Sequence, residues 1–162
     1  MKQRASSAVR TFLKTKEGLS LTAYPDPKTG GDPWTVGYGA TGDGIGPGTV
    51  WTLQQAEDRF NEDVAFREEL VRQHVSVPLT QGQFDALVSI IYNVGVGSRT
   101  RDGIIRLKNG KPSTLLRLLN AGDYRGAREQ FFKWVSPGSS VERGLTIRRK
   151  QEVEDFWDAE TI

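Results

Sequence analysis

Apolar residues follow two different periods along this chain, and the change of period divides it. Val9, Phe12 and Leu13 fall at helical spacing within Ala5–Lys16, which predicts a first helix over 5–17. Gly18 follows, and glycine readily takes the left-handed conformation that ends helices. From Leu19 to Gly48 the character changes. Gly, Pro and Asp recur every few residues, with short Thr/Tyr/Trp/Val runs at Leu21–Tyr24 and Trp34–Tyr38. That pattern predicts a small antiparallel sheet rich in turns.

Helical spacing returns at Thr52. Thr52-Leu53-Gln54-Gln55 reads as a capping box, in which the Thr hydroxyl and the Gln side chain satisfy free backbone N–H groups. Leu53, Ala56, Phe60 and Val64 then predict a long helix to about Arg72. Thr80-Gln81-Gly82-Gln83 repeats the signature ahead of Phe84, Leu87, Val88, Ile91 and Tyr92, a strongly apolar face expected to form the central core helix. Shorter helices are predicted at Ser113–Ala121, Asp123–Trp134 and, after a break at Ser136–Ser140, Leu145–Trp157. The expected plan is α+β in one domain over 1–162. It has a first helix at 5–17, a sheet lobe at 18–51 and a helical lobe at 52–162.

Composition narrows the classes. The chain has 162 residues, 36% hydrophobic and 26% charged, with no cysteine and one histidine, His74. Disulfides and thiolate metal sites are excluded, and a His-based metal centre or Ser–His triad is not expected; no cofactor or metal is. No apolar run approaches the roughly 18 residues of a membrane span, and Met1–Lys16 lacks the apolar centre of a signal peptide. Net charge is +2 but uneven: Arg99–Lys150 carries 13 Lys/Arg against 4 Asp/Glu. A basic half suits an anionic polymer, nucleic acid or bacterial wall, and equally a solvated helical surface.

The chemistry concentrates in EGLSLTAYPDPKTGGDPWTVGYGAT, Glu17 to Thr41. Glu17 sits at the predicted C-terminal end of the first helix, where backbone carbonyls disfavour an ionised carboxylate and should raise its pKa. A carboxyl kept protonated suits general acid catalysis. Asp26 lies in a Pro-flanked turn where water and backbone N–H groups should keep it ionised, and Thr35 opens the second strand. Two carboxyls in opposite protonation states are the minimum equipment for glycoside hydrolysis. Taken bare, a Glu at a helix end and an Asp in a turn favour a purely structural role.

The phrase E-G-L-x-L-x-A-Y-x-D, then W-T-V-G-Y-G, resembles the active-site signature of the phage-type lysozymes, glycoside hydrolase family 24. The resemblance continues through Leu79–Leu87, Tyr92-Asn93-Val94-Gly95, Trp134 and Gly144–Glu152, in the family's order. It implies a lysozyme-like fold and hydrolysis of the β-1,4 bond between N-acetylmuramic acid and N-acetylglucosamine in peptidoglycan. It implies Glu17 as acid and Asp26 with Thr35 as holders of a water on the opposite sugar face, in an inverting reaction. Tyr24, Tyr38, Tyr92 and Asn93 become candidate sugar contacts, although Tyr24 and Tyr38 suit the core of a small sheet better, Tyr92 falls on the apolar helix face, and Asn93 equally suits a helix C-cap. Further implications are a monomeric endolysin held in the host cytoplasm until lysis, released through a holin to the periplasm and wall, without nucleic-acid binding or stable membrane insertion.

Two departures stand out. Eight residues separate Asp26 from Thr35 where the family commonly has five, so Lys28–Pro33 reads as a longer hairpin tip. Ala40 stands where many relatives carry histidine, which removes a charge partner from the sheet lobe. The competing reading is a lysozyme-like wall binder that does not cut. A nucleic-acid-binding domain and a lytic transglycosylase using one acid are more distant rivals.

Overall fold

The computed structural model describes residues 1–159, so the end of the helical lobe expected over 52–162 lies outside the described residues. The chain forms two compact units: Arg10–Phe66, and Met1–Val9 with the chain from Arg67 onward. The boundaries fall inside helices α1 (Ser7–Glu17) and α2 (Leu53–His74). Described residues are mainly helical with one two-stranded sheet, the α+β class expected.

In the first unit, β1 (Ser20–Tyr24) pairs antiparallel with β2 (Thr35–Gly37). The register runs Ser20 to Gly37 and Tyr24 to Thr35, so β1 bulges between its ends. On its other edge β1 is joined by 49–51: Ala23 N–H donates to Thr49 O at 2.9 Å and Trp51 N–H to Leu21 O at 2.8 Å. The capping box at the start of α2 is present, with Gln55 N–H donating to Thr52 Oγ1 (3.1 Å) and Gln55 Oε1 accepting from Thr52 N–H (2.8 Å). Leu13, Val36, Ala56, Phe60 and Val64 are buried.

The second unit is helical. Its centre is α3 (Gln81–Val94), capped by Thr80 and Gln83 in the reciprocal way read from sequence. Phe84, Leu87, Val88, Ile90 and Ile91 are buried along it, each contributing about 1.5–3 kcal/mol of transfer free energy. Around it come α4 (Thr114–Asn120), α5 (Tyr124–Gln130) and α6 (Glu142–Gln151), with a 3-10 turn at Phe131–Lys133 and a π-helical turn at Glu152–Trp157. The helix expected over Asp123–Trp134 therefore tightens at its end. The last helix begins three residues before Leu145, because Gly144 is helical and Leu145 N–H already reaches Val141 O (3.0 Å).

Helix α1 starts at Ser7, two residues later than expected. Ser6 is the cap: its hydroxyl accepts from Val9 N–H (3.2 Å). Its own N–H and hydroxyl donate to buried Asp85 at 2.9 and 2.6 Å. Ala5 N–H donates to Glu68 Oε2 at 2.6 Å. These bonds hold the N-terminus in the second unit.

Candidate active site

The carboxyl at the end of α1 is positioned by local rules. Gly18, with φ +69°, donates its N–H to Lys14 O (2.9 Å) and stops the helix, so Glu17 is its last residue. The chain then turns into β1, which ends at Tyr24, two residues before Asp26. Asp26 organises the hairpin that follows. Its Oδ1 accepts from Lys28 N–H (2.8 Å), its carbonyl from Gly30 N–H (2.8 Å), and its N–H donates to Gly31 O (2.9 Å). An aspartate bonding the backbone two residues on is a local turn former, and it aims a carboxylate from the base of the tip. The longer tip is closed on itself, with Thr29 Oγ1 donating to Asp32 O at 2.9 Å.

Thr35 faces Tyr24 across the strand pair, and both are accessible. Beyond Thr35, β2 runs into a tight turn. Val36 and Ala40 exchange backbone hydrogen bonds (3.0 and 2.9 Å), with Gly37 and Gly39 at φ +68° and +83°. This turn brings Gly39 against Glu17: a Cβ there would lie 3.0 Å from Glu17 Oε2. The carboxyl at the helix end thus lies beside the turn that follows the strand opening with Thr35.

Tyr38 is committed within this unit. Its hydroxyl donates to Glu57 Oε1 (2.9 Å), and its ring meets Phe60 edge-on at 5.4 Å between centroids. Lys14 Nζ lies 2.5 Å from Glu57 Oε2 and above both rings, 5.2 Å from Tyr38 and 5.1 Å from Phe60. The hydrogen bonds from Lys14 and Tyr38 hold the Glu57 carboxyl below its usual range. Burial, with the Glu57 carboxylate beside it, pushes the Tyr38 phenol up. Ala40, which stands where many relatives carry histidine, is buried.

The two remaining candidates lie in the second unit. The Arg67 guanidinium sits 5.0 Å from the centroid of the Tyr92 ring. Asn93 is followed by Gly95, whose N–H donates to Ile91 O (2.8 Å), so glycine caps α3 and Asn93 is released from that task. Asn93 Oδ1 accepts from Arg149 at 2.6 Å. Arg149 contacts Glu152 (2.7 Å), which accepts from Ser89 Oγ (2.6 Å). Arg149 and Glu152, three residues apart, thus pair along one helical face. His74 is exposed at the end of α2, its carbonyl accepting from Asn120 (2.8 Å).

Sequence reasoning missed Lys14, Glu57 and Gly39. Glu57 is 43 and 19 residues from its partners, and no local pattern reports such a contact. The G-Y-G repeat was the one available signal for Gly39. Among the described residues, no group of three or more His, Asp or Glu could hold a metal ion, and no helix is long and apolar enough to cross a membrane.

The chain is similar to known proteins over nearly all its length. The endolysin of Bacillus phage B103 is 38% identical over 156 residues, 96% of this chain and 55% of that protein. The chain thus spans about half the length of the Bacillus phage endolysins it matches. The endolysin of Salmonella phage P22 is 34% identical, covering 93% of this chain and 96% of its own. Among solved structures, the muramidase domain of SpmX from Asticaccaulis excentricus superposes with a TM-score of 0.76 at 29% identity, over 98% of this chain and 99% of that one. The family model for phage lysozymes matches residues 14–152, which include Glu17, Asp26 and Thr35, and this chain belongs to that family.

Proposed function

We propose that this chain is a muramidase that hydrolyses the β-1,4 bond between N-acetylmuramic acid and N-acetylglucosamine in peptidoglycan. Glu17 gives its proton to the leaving glycosidic oxygen. Asp26 and Thr35 hold a water against the opposite face of the sugar, and Asp26 draws a proton from it as the C–O bond forms. Asp26 also stabilises positive charge developing on the ring. This arrangement inverts the anomeric centre and calls for carboxyls roughly 6.5–9.5 Å apart, enough for a water between acid and base. Tyr24, 42% exposed beside Thr35, offers a ring for a sugar face. Within the second unit, Tyr92 and Asn93 are candidate sugar contacts, and Asn93, its oxygen held by Arg149, keeps its amide N–H groups as donors for an acetamido carbonyl. Tyr38 acts behind the site, as its partners indicate.

The observation that carries this reading is the setting of Glu17, at a helix terminus with a glycine, Gly39, against its carboxyl. An acid group works when it is held in one place with room beside it for the substrate oxygen. The same reading has the protein working as a monomer on the wall after holin-mediated release from the host cytoplasm.

Clearing of purified cell walls by Glu17→Gln tests the proposal. The variant is expected to fold normally and lose about a thousandfold or more in rate. Near-wild-type clearing would remove Glu17 from its role. Absence of clearing by the wild type, with wall binding retained, would favour a binder. Proton NMR of the first-formed anomer checks the stereochemistry.

A further inference from the structure

We propose that Lys14, Glu57 and Tyr38 form a positioning clamp for the acid, in which one carboxylate fixes both the helix end that carries Glu17 and the glycine turn that packs on it. The inference rests on Glu17 being the acid.

Each oxygen of Glu57 serves a different element. Oε2 takes the ammonium of Lys14, one turn before Glu17 on α1. Oε1 takes the hydroxyl of Tyr38, the residue between the two left-handed glycines. Residues three apart on a helix share a face, so holding Lys14 also sets the rotation of the helix end about its axis. Holding Tyr38 sets the turn, because Gly37 is pressed between Trp51 and Ala56, at 3.0 and 3.5 Å from where its Cβ would be. With Gly37 and Tyr38 both fixed, Gly39 has one place to go, which is against Glu17 Oε2.

The surrounding chemistry keeps the clamp closed near neutral pH. Glu57 stays a carboxylate and Tyr38 a neutral phenol, which together give a charge-assisted O–H···O bond. The Lys14 ammonium lies over two rings that meet edge-on, a second attraction at the same point. Lys14 and Glu57 are 34% and 30% exposed, and pairs so open to water add little to stability. Their three-element geometry is better explained by precision. Catalytic groups need placement to about 0.5 Å, and a supporting layer supplies it.

The clamp is tested by kinetics on soluble glycan strands from peptidoglycan, with thermal melts in parallel. Tyr38→Phe keeps the ring and removes only the hydroxyl. It is expected to lower kcat about tenfold, with KM within twofold and the melting temperature within about 2 °C of wild type. Glu57→Gln should lower kcat similarly, and the double variant should be no slower than the worse single one, because both break one device. Lys14→Met should lose rate and Lys14→Arg recover part of it. Wild-type kcat in Tyr38→Phe overturns the clamp. So does raised KM at unchanged kcat, which would make Tyr38 a sugar contact. Glu17→Gln separates the failures: an active Glu17→Gln sinks the acid and the clamp together, whereas an inactive one beside a fully active Tyr38→Phe sinks the clamp alone.

Discussion

Glu57 and Glu152 have nearly the same partners and opposite electrostatics. Glu57 accepts from the Tyr38 hydroxyl at 2.9 Å and pairs with Lys14 at 2.5 Å. Glu152 accepts from the Ser89 hydroxyl at 2.6 Å and pairs with Arg149 at 2.7 Å, with Arg148 Nε at 3.6 Å. The difference is water. Glu57 is 30% exposed, so its partners outweigh desolvation and its carboxyl is pulled down. Glu152 is fully buried, and burial pushes its carboxyl up against the pull of two guanidiniums and a serine. A hydrogen-bonded carboxylate near solvent is inexpensive and can serve geometry. A buried one commits the protein to every partner it has.

That contrast can be broken at its costly end first. Glu152→Ala strands Arg149 in the core and is expected to destabilise by about 3–5 kcal/mol, read from urea unfolding. Replacing the pair together, Arg149→Met with Glu152→Leu, should recover most of that loss. If the double variant is as unstable as the single one, the network contributes more than mutual neutralisation. The double variant also removes the Arg149 bond to Asn93 Oδ1, so if Asn93 binds sugar as proposed, its KM should rise.

Gly39→Ala comes next. A side chain at φ +83° carries a backbone cost of about 1–2 kcal/mol, and its Cβ would also meet Glu17 Oε2. Gly44 has φ +80° with nothing within 4 Å, so Gly44→Ala should show a similar fall in stability with activity kept. Assays of the two variants separate strain from contact with the acid, and equal activities would remove Gly39 from the site.

The smallest effect lies at Glu57. Glu57→Gln is expected to cost about 0.2–1 kcal/mol at pH 7. The sign of the pH dependence follows from the lowered carboxyl. Its contribution is present above the unfolded-state value of about 4.3 and disappears as pH falls through the lower folded-state value. Unfolding curves of wild type and variant should therefore converge in acid. A gap that persists at pH 2 would mean that packing, not charge, is lost.

What was legible in the sequence was local. Thr52–Gln55 and Thr80–Gln83 are self-contained caps, and the spacing of Glu17, Gly18 and Asp26 determines a helix end and a turn without outside help. The misplaced boundaries have distant or ambiguous causes. Helix α1 starts where Asp85, 79 residues away, receives Ser6. Gly144 reads as a breaker yet sits inside α6. The clamp behind Glu17 was invisible for the first of these reasons, since its three residues come from three elements.

The pairing of Tyr24 with Thr35 makes the hairpin tip a detachable module. The strand register places the threonine whatever the length of chain beyond it, and the Asp26–Gly31 and Thr29–Asp32 bonds close the loop on itself. Lengthening between Thr29 and Asp32 leaves that register in place, but it falls among the bonds that tie the tip to Asp26. A short foreign epitope inserted there would label the chain without moving Thr35, and its effect on wall clearing would report how far the tip holds Asp26.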